Sequence, residues 1–280
     1  VSGAAAAWLS GGRLHLQHGP IDAVLSAEGP GRAAALAAAR ARFPTILPEL
    51  VAELGALRRP LVGGAPFAGP VARGMARAVA PYGDVFVTPM AAVAGAVADA
   101  LLAEMIAFDL TRAYVNDGGD IALHLAPGAR YCSAMMRVDG AETGRIDIGA
   151  DDGVGGIATS GRHGRSLSLG IADSVTVLAH DAAAADVAAT LIANAVDLPG
   201  HPAIRRLPAI ELDPDSDLGP RPVVTGVAPL DRGARARALA AGRARAEALR
   251  AAGRITAASL TLGSDTVTTG PLFLRRPAHA

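Results

Sequence analysis

Segments that alternate apolar and polar residues come in runs along this chain, and segments of helical composition sit between the runs in pairs. Residues two apart share a face of a strand, whereas residues three or four apart share a face of a helix. The order therefore points to sheets built largely from neighbouring strands, an α+β arrangement and not the strict alternation of a doubly wound parallel sheet. Arg13–Gln17 and Ile21–Ala27 alternate around His18-Gly19-Pro20 and read as two strands meeting at a turn. A helix pair follows. Alanine-rich Arg32–Arg42 ends before Phe43-Pro44, and a second helix enters near Pro48 and runs to Leu57. Gly63–Pro70 reads as a loop, Val71–Ala80 as a helix, Asp84–Val87 as a short strand and Met90–Leu110 as a helix of small residues.

Ala113–Asn116, Asp120–Leu125, Tyr131–Val138 and Arg145–Ile148 then read as a meander of strands separated by glycine and aspartate turns. Arg165–Ile171 and Ser174–Ala179 continue the strand pattern, and Asp181 caps a helix running to Val196. Leu198–Pro222, rich in proline and aspartate, is a surface excursion with a strand expected at Ala209–Leu212. A helix at Arg232–Ala252 and a last strand at Arg254–Leu262 complete the pattern. Arg235, Arg237, Arg243, Arg245 and Arg250 on that helix read as a solvated face, the alternative being a site for an anionic partner.

With 280 residues the chain is long enough for one domain or two closely related halves, and needs no covalent staple. Its single cysteine, Cys132, expected in a strand core, excludes an internal disulfide and any multi-cysteine metal site, which fits a reducing compartment. The 26 basic residues are all arginine and balance 26 acidic ones, and there are one tryptophan, three tyrosines and five phenylalanines. That is neither the electrostatic footprint nor the stacking platform of a nucleic-acid binder. Val1–Leu9 has no basic start and meets Ser10-Gly11-Gly12 too early for a signal peptide, so a cytoplasmic location is expected. Thr88–Ala107 carries Asp99 and Glu104 within alanine and glycine and reads as a buried helix, not a membrane span. Small-residue helices suit subunit packing in an oligomer and packing within one chain equally well.

Three polar clusters stand out from the alanine and leucine background. In Asn116-Asp117-Gly118-Gly119-Asp120 the paired glycines permit either close approach of a ligand or an ordinary hairpin turn. Thr159-Ser160-Gly161-Arg162-His163-Gly164-Arg165-Ser166 gathers hydroxyls, two arginines and an imidazole. Such a loop can pair a phosphate or carboxylate and move a proton, or it can be a polar surface loop. On the helix after Asp181, Asp186, Thr190 and Asn194 recur every four residues and form one stripe, either a solvent face or hard oxygen donors for magnesium. Gly153-Val154-Gly155-Gly156 lacks the spacing and following helix of a phosphate loop and reads as a tight turn.

In order, Asn116–Asp120, Ala158-Thr159-Ser160-Gly161 and Ala185-Asp186-Val187-Ala188-Ala189-Thr190 resemble the GGD turn, TSG loop and AD-x-x-AT helix of the ApbE-like flavin transferases. Ala94-Gly95-Ala96-Val97-Ala98-Asp99 is similar to that family's KGYAVD helix, without its lysine and tyrosine. A sister group found in methane-producing archaea and various bacteria resembles the chain further, in His18-Gly19-Pro20-Ile21-Asp22, Ser160–Ser166 and Gly170–Val177. The resemblance implies an α+β, ApbE-like, T-fold-like architecture of two related halves, antiparallel sheet packed with paired helices. It makes Asp186 and Thr190 magnesium ligands. It sets Asn116, Asp117, Gly118, Gly119 and Asp120 with Thr159, Ser160, Gly161, Arg162, Arg165 and Ser166 around an FAD- or FMN-sized ligand. The family's H-x-IDP-x-TG segment, which carries catalytic residues, is missing after Ser168, and His163 and Asp173 are the nearest substitutes.

Three functions follow as expectations. The first is an ApbE-like, transferase-like enzyme or flavin-binding protein whose chemistry differs from FMN transfer to protein threonine. The second is a biosynthetic enzyme acting on a pterin, as in tetrahydromethanopterin biosynthesis. The third is a non-catalytic ligand-binding or assembly protein.

Overall fold

A computed structural model describes residues 3–61, 67–136, 140 and 142–275. The chain opens with strands β1 (Ala5–Leu9), β2 (Arg13–His18) and β3 (Ile21–Glu28), followed by helices α1 (Arg32–Leu57), α2 (Pro70–Val79) and α3 (Val93–Met105). Five strands come next: β4 (Arg112–Asp117), β5 (Asp120–Leu125), β6 (Arg130–Met136), β7 (Glu142–Gly149) and β8 (Gly156–Ser160). After β9 (Ser174–Ala179) and α4 (Ala182–Ala195), the ribbon β10 (Ile204–Pro208) and β11 (Pro222–Val227) flanks one helical turn, α5 (Ala209–Leu212). Helix α6 (Arg232–Ala251) precedes β12 (Ala257–Leu262), β13 (Asp265–Thr269) and β14 (Phe273–Arg275).

Two compact units divide the chain. The first comprises residues 1–130, 149–158 and 179–187. In it β1 to β5 pair in sequence order, all antiparallel, and the start of β8 adds to β5 through Ala122 opposite Gly156. The registers Leu14 to Leu25, Leu16 to Ala23 and Leu25 to Val115 put one continuous row of buried apolar side chains on a single face. Helices α1 and α3 cover that face. The second unit comprises residues 131–148, 159–178 and 188–280. There β12 lies between β9 and β13, backed by α6, while β7 separates β6 and β14 in a small sheet of its own. Every strand pair with a described register is antiparallel, as the α+β reading requires.

Several expectations fail, each for a physical reason. The helix pair at Arg32–Arg42 and Pro48–Leu57 is one helix of 26 residues with Pro44 and Pro48 inside. An interior proline costs about 3 kcal/mol. Burying Phe43, Ile46 and Leu50 on that same helix returns about 1.5–3 kcal/mol each, and Arg42 clamps Glu49 through two 2.7 Å hydrogen bonds across the interruption. Asp84–Val87 is turn and extended loop, with Val85 exposed where a strand would need to bury it. The strand pattern of Arg165–Ile171 is a loop, and the strand expected at Ala209–Leu212 lies earlier, at Ile204–Pro208, leaving Ala209–Leu212 as the helical turn. The small-residue helix ends at Met105, five residues early. The meander breaks after β5, because β6 and β7 leave for a separate sheet in which β7 pairs with β6 on one side and β14 on the other. Cys132 is exposed, since β6 alternates exposed and half-buried residues in a sheet without full cover on either face. Parts of Gly63–Pro70 and of Tyr131–Val138 lie outside the described residues.

No described helix is long and apolar enough to cross a membrane.

Candidate functional site

In the first unit, α3 and the start of α4 cap each other. The first backbone N–H groups of a helix have no partner within it. Asp99 on α3 supplies acceptors for α4, its two oxygens taking Ala182 N at 3.0 Å and Ala183 N at 2.9 Å, and Asp181 adds the expected cap by accepting Ala184 N at 2.7 Å. In return Asp186, on the second turn of α4, accepts Gly95 N of α3 at 3.2 Å. Gly95 and Asp99 are one helical turn apart, so both face α4. A Cβ on Gly95 would lie 2.3 Å from the carbonyl oxygen of Ala182, so the helices approach this closely only with glycine there.

These carboxyls sit in an acidic neighbourhood. Burial first, then the charge of Asp120 and, more weakly, that of Asp117, hold Asp186 well above the usual carboxylate range, against the hydrogen bond from Gly95. Burial also pushes Asp99 up from 3.8 to about 6, the hydrogen bonds from Ala183 and Ala182 opposing it. The stripe Asp186, Thr190, Asn194 is therefore not a solvent face. Asp186 and Thr190 are half-buried, and Asn194 accepts Leu169 N at 3.1 Å, which ties down the loop before β9.

Between β4 and β5, Asn116 accepts Gly119 N at 2.9 Å, and Gly118 and Gly119 take φ of 65° and 114°. That is hairpin-turn chemistry. Asp117 is buried and accepts Asp22 N at 3.2 Å from the neighbouring strand.

An apolar groove of about 780 Å³ opens in the same unit, within the size range of small-molecule sites. Its walls include the β2–β3 turn at His18, Gly19, Pro20 and Ile21, the stretch of α1 from Leu47 to Leu57 with Arg58 just past its end, Met90 just before α3, and Val93 at its start. Ile21 and Val93 belong to the groove, while Asp22 N bonds Asp117 and Gly95 N bonds Asp186. The groove residues and the amides that bond the carboxyls are thus one residue apart on β3 and two on α3. Sequence reasoning missed this groove. Its one trace was the His18–Asp22 stretch, which carried resemblance but no assigned role.

In the second unit, Asp173 organises the polar loop. Its Oδ1 accepts Arg162 Nε at 2.8 Å and His163 Nε2 at 3.1 Å, and its Oδ2 accepts Gly263 N at 2.6 Å. The Arg162 guanidinium also pairs with Oδ1 at 2.6 Å, so its fork is engaged internally, and Arg165 and Ser166 are exposed at the loop's tip. Gly161, at φ 154°, packs against the Asp173 carbonyl. Thr159 Oγ1 and Thr176 Oγ1 share a 2.9 Å hydrogen bond, and Ser160 is half-buried at the end of β8. The structure brings His163 and Asp173 together as a carboxylate–imidazole pair, a geometry that orients a ring for proton transfer. Among the described residues, no group of three or more His, Cys, Asp or Glu side chains is spaced to hold a metal ion.

The family model described as AbpE bacteria matches residues 6–269, which is most of the chain. The chain belongs to this family. Curated relatives include the UPF0280 proteins of Methanopyrus kandleri, 41% identical over 124 residues, and Methanothrix thermoacetophila, 37% identical over 115. Those matches cover 44% and 39% of this chain and 48% and 46% of the relatives, so the chain spans about half the length of each. Among solved structures, the flavin transferase ApbE of Vibrio cholerae superposes with a TM-score of 0.48 at 14% identity, covering 95% of this chain and 97% of that one. The apo flavinyl transferase ApbE of Pseudomonas stutzeri gives 0.45 at 15% identity, covering 95% and 93%. In the AbpE bacteria chain described here, Gly95 and Asp99 of the Ala94–Asp99 stretch both contact the start of α4.

Proposed function

We propose that this AbpE bacteria protein binds a flavin nucleotide or a similar heterocycle together with magnesium, the ring in the apolar groove of the first unit and the phosphates toward Asp117, Asp120 and Asp186. The supporting observation is the adjacency of groove and carboxyls through Ile21–Asp22 and Val93–Gly95. An apolar pocket with a few convergent polar groups is the usual form of a cofactor site. The donors suit the ion: hard carboxylate oxygens favour magnesium, and like charges that raise Asp186 are relieved by a cation. Asp186 would hold it. Since no protein-only metal cluster is present among the described residues, ligand phosphates would complete the coordination. Magnesium, when bound, neutralises phosphate charge.

His163 and Asp173 are the acid–base candidates. With its Nε2–H donated to Asp173, the ring keeps Nδ1 as a proton acceptor. Arg165, exposed beside it, is the loop's candidate anion partner.

Thermal unfolding with FAD, FMN and a pterin, each with and without magnesium, tests the reading, because a ligand of the native state raises stability. Flavin stabilisation that grows with magnesium supports it. A response confined to the pterin favours the pterin reading over the flavin one, and no response to any of them favours a binding or assembly protein of another kind.

A further inference from the structure

His18 lines the groove, is only 8% exposed, and its Nδ1 is buried with no hydrogen-bond partner. Its ring meets the edge of Phe43, centroids 6.2 Å apart. A neutral imidazole carries one N–H and one bare nitrogen. Hydrogen on Nδ1 would bury a donor with no acceptor, and orphaned buried N–H groups are rarer in native proteins than under-satisfied acceptors, whereas a bare Nδ1 leaves only a lone pair there. The hydrogen therefore belongs on Nε2. Nδ1 is closed off from solvent whereas Nε2 is not among the buried unpartnered atoms, so the nitrogen left to face the groove that His18 lines is Nε2.

We infer that His18 presents Nε2–H to the occupant of the groove, so that the site selects a planar ring with a hydrogen-bond acceptor, a carbonyl oxygen or a bare ring nitrogen, on the edge that meets the β2–β3 turn. The inference rests on the groove being the heterocycle site and adds what the groove reads. Apart from Arg58, just past the end of α1, the side chains of the rest of the wall are apolar: Leu47, Leu50, Val51, Leu54, Met75 and Val93 contact a ring without distinguishing one from another. A purely hydrocarbon ring would leave Nε2–H unpaired and desolvated, and a site built to hydrogen-bond rejects the analogue that lacks the partner.

Riboflavin is the probe, because it has ring acceptors but no phosphate and so bypasses Asp186 and magnesium. Its fluorescence quenching is measured with the full chain and with His18→Leu and His18→Gln. His18→Leu is expected to bind about tenfold more weakly, one lost hydrogen bond's worth. His18→Gln, whose amide also donates, should stay within about threefold. N-Phenyl-1-naphthylamine, an apolar dye, should bind His18→Leu at least as well as the parent. Riboflavin binding unchanged in His18→Leu would overturn the role of His18 and leave the groove reading standing. Riboflavin that fails to bind the parent chain would overturn the groove reading itself. Nitrogen-15 spectra of the parent chain decide the tautomer without any variant, the His18 ring being recognised by its proximity to Phe43; hydrogen on Nδ1 would refute the inference.

Discussion

Asp99 makes stability fall as pH rises through the range where most proteins gain it. Its folded carboxyl titrates at about 6, against an ordinary 3.8, and burial is the main cause. The folded chain therefore holds this proton more tightly than the unfolded chain. The contribution is fully present below about pH 4 and is lost as pH rises through 6. The whole effect is at most about 3 kcal/mol, of which about 1.4 kcal/mol lies between pH 5 and pH 7.5. Replacing Asp99 by Asn removes the titration and keeps one acceptor for the amides of Ala182 and Ala183. Urea unfolding followed by far-ultraviolet circular dichroism, near pH 5 and near pH 7.5, gives the difference directly. The parent should lose about 1.4 kcal/mol more than Asp99→Asn between those conditions. Asp186, whose shift has the same sign, is present in both chains and cancels. Equal pH dependence in parent and variant would refute the assignment.

Asp186→Ala should abolish the magnesium contribution to flavin stabilisation, and cost about 1 kcal/mol besides for the lost cap on α3; a magnesium effect that survives the change removes Asp186 from the ion. Gly95→Ala should destabilise the chain by about 1–3 kcal/mol in urea, since its methyl meets backbone of Ala182 that no rotamer can clear; an unchanged midpoint would mean the helices can separate freely. With FAD, magnesium and an acceptor peptide, covalent FMN should form about 10²- to 10⁴-fold more slowly than with a flavin transferase that keeps the H-x-IDP-x-TG segment. Rapid labelling detected by mass, and lost in His163→Ala, would instead make His163 the replacement base.

Elements with a strong period were legible, and those decided by distant partners were not. The β2–β3 hairpin, β4 and α6 follow from alternation or helical spacing, because each buries one face and the pattern records which, whereas β5, β9 and α4 bury successive residues and were marked by apolar runs between turns and by the Asp181 cap. The continuity of α1 through Pro44 and Pro48 depends on what Phe43, Ile46 and Leu50 pack against, which no local rule contains. Strand β1 has all five residues exposed, Trp8 at 60%, so burial left no alternation to find. The exit of β6 and β7 into a sheet with β14 rests on a partner more than a hundred residues downstream.

Site residues divided in the same way. The Asn116–Gly119 turn was readable because its chemistry is local, a side-chain amide and two glycines at positive φ. Asp186 stood out by spacing, yet spacing could not show that it caps α3, since Gly95 is 91 residues away in sequence. That cap bears on the proposed function. Oδ2 accepts the Gly95 amide and the Ala94 amide also donates to the carboxylate, so a cation would have to use the lone pairs that the start of α3 leaves over. The same hydrogen bond fixes the rotamer of Asp186 and favours its ionised form, opposing the burial and the two acidic neighbours. A ligand-binding carboxylate held by a helix amide is preorganised, and preorganisation reduces the ordering cost of binding. Gly95 therefore supports Asp186 in two ways: it lets α3 approach α4, and it supplies the donor that orients the carboxylate. On this argument Gly95→Ala should weaken magnesium-dependent flavin binding even under conditions where the variant is fully folded. If the folded variant binds as tightly as the parent, the capping bond is structural alone and Asp186 orients itself.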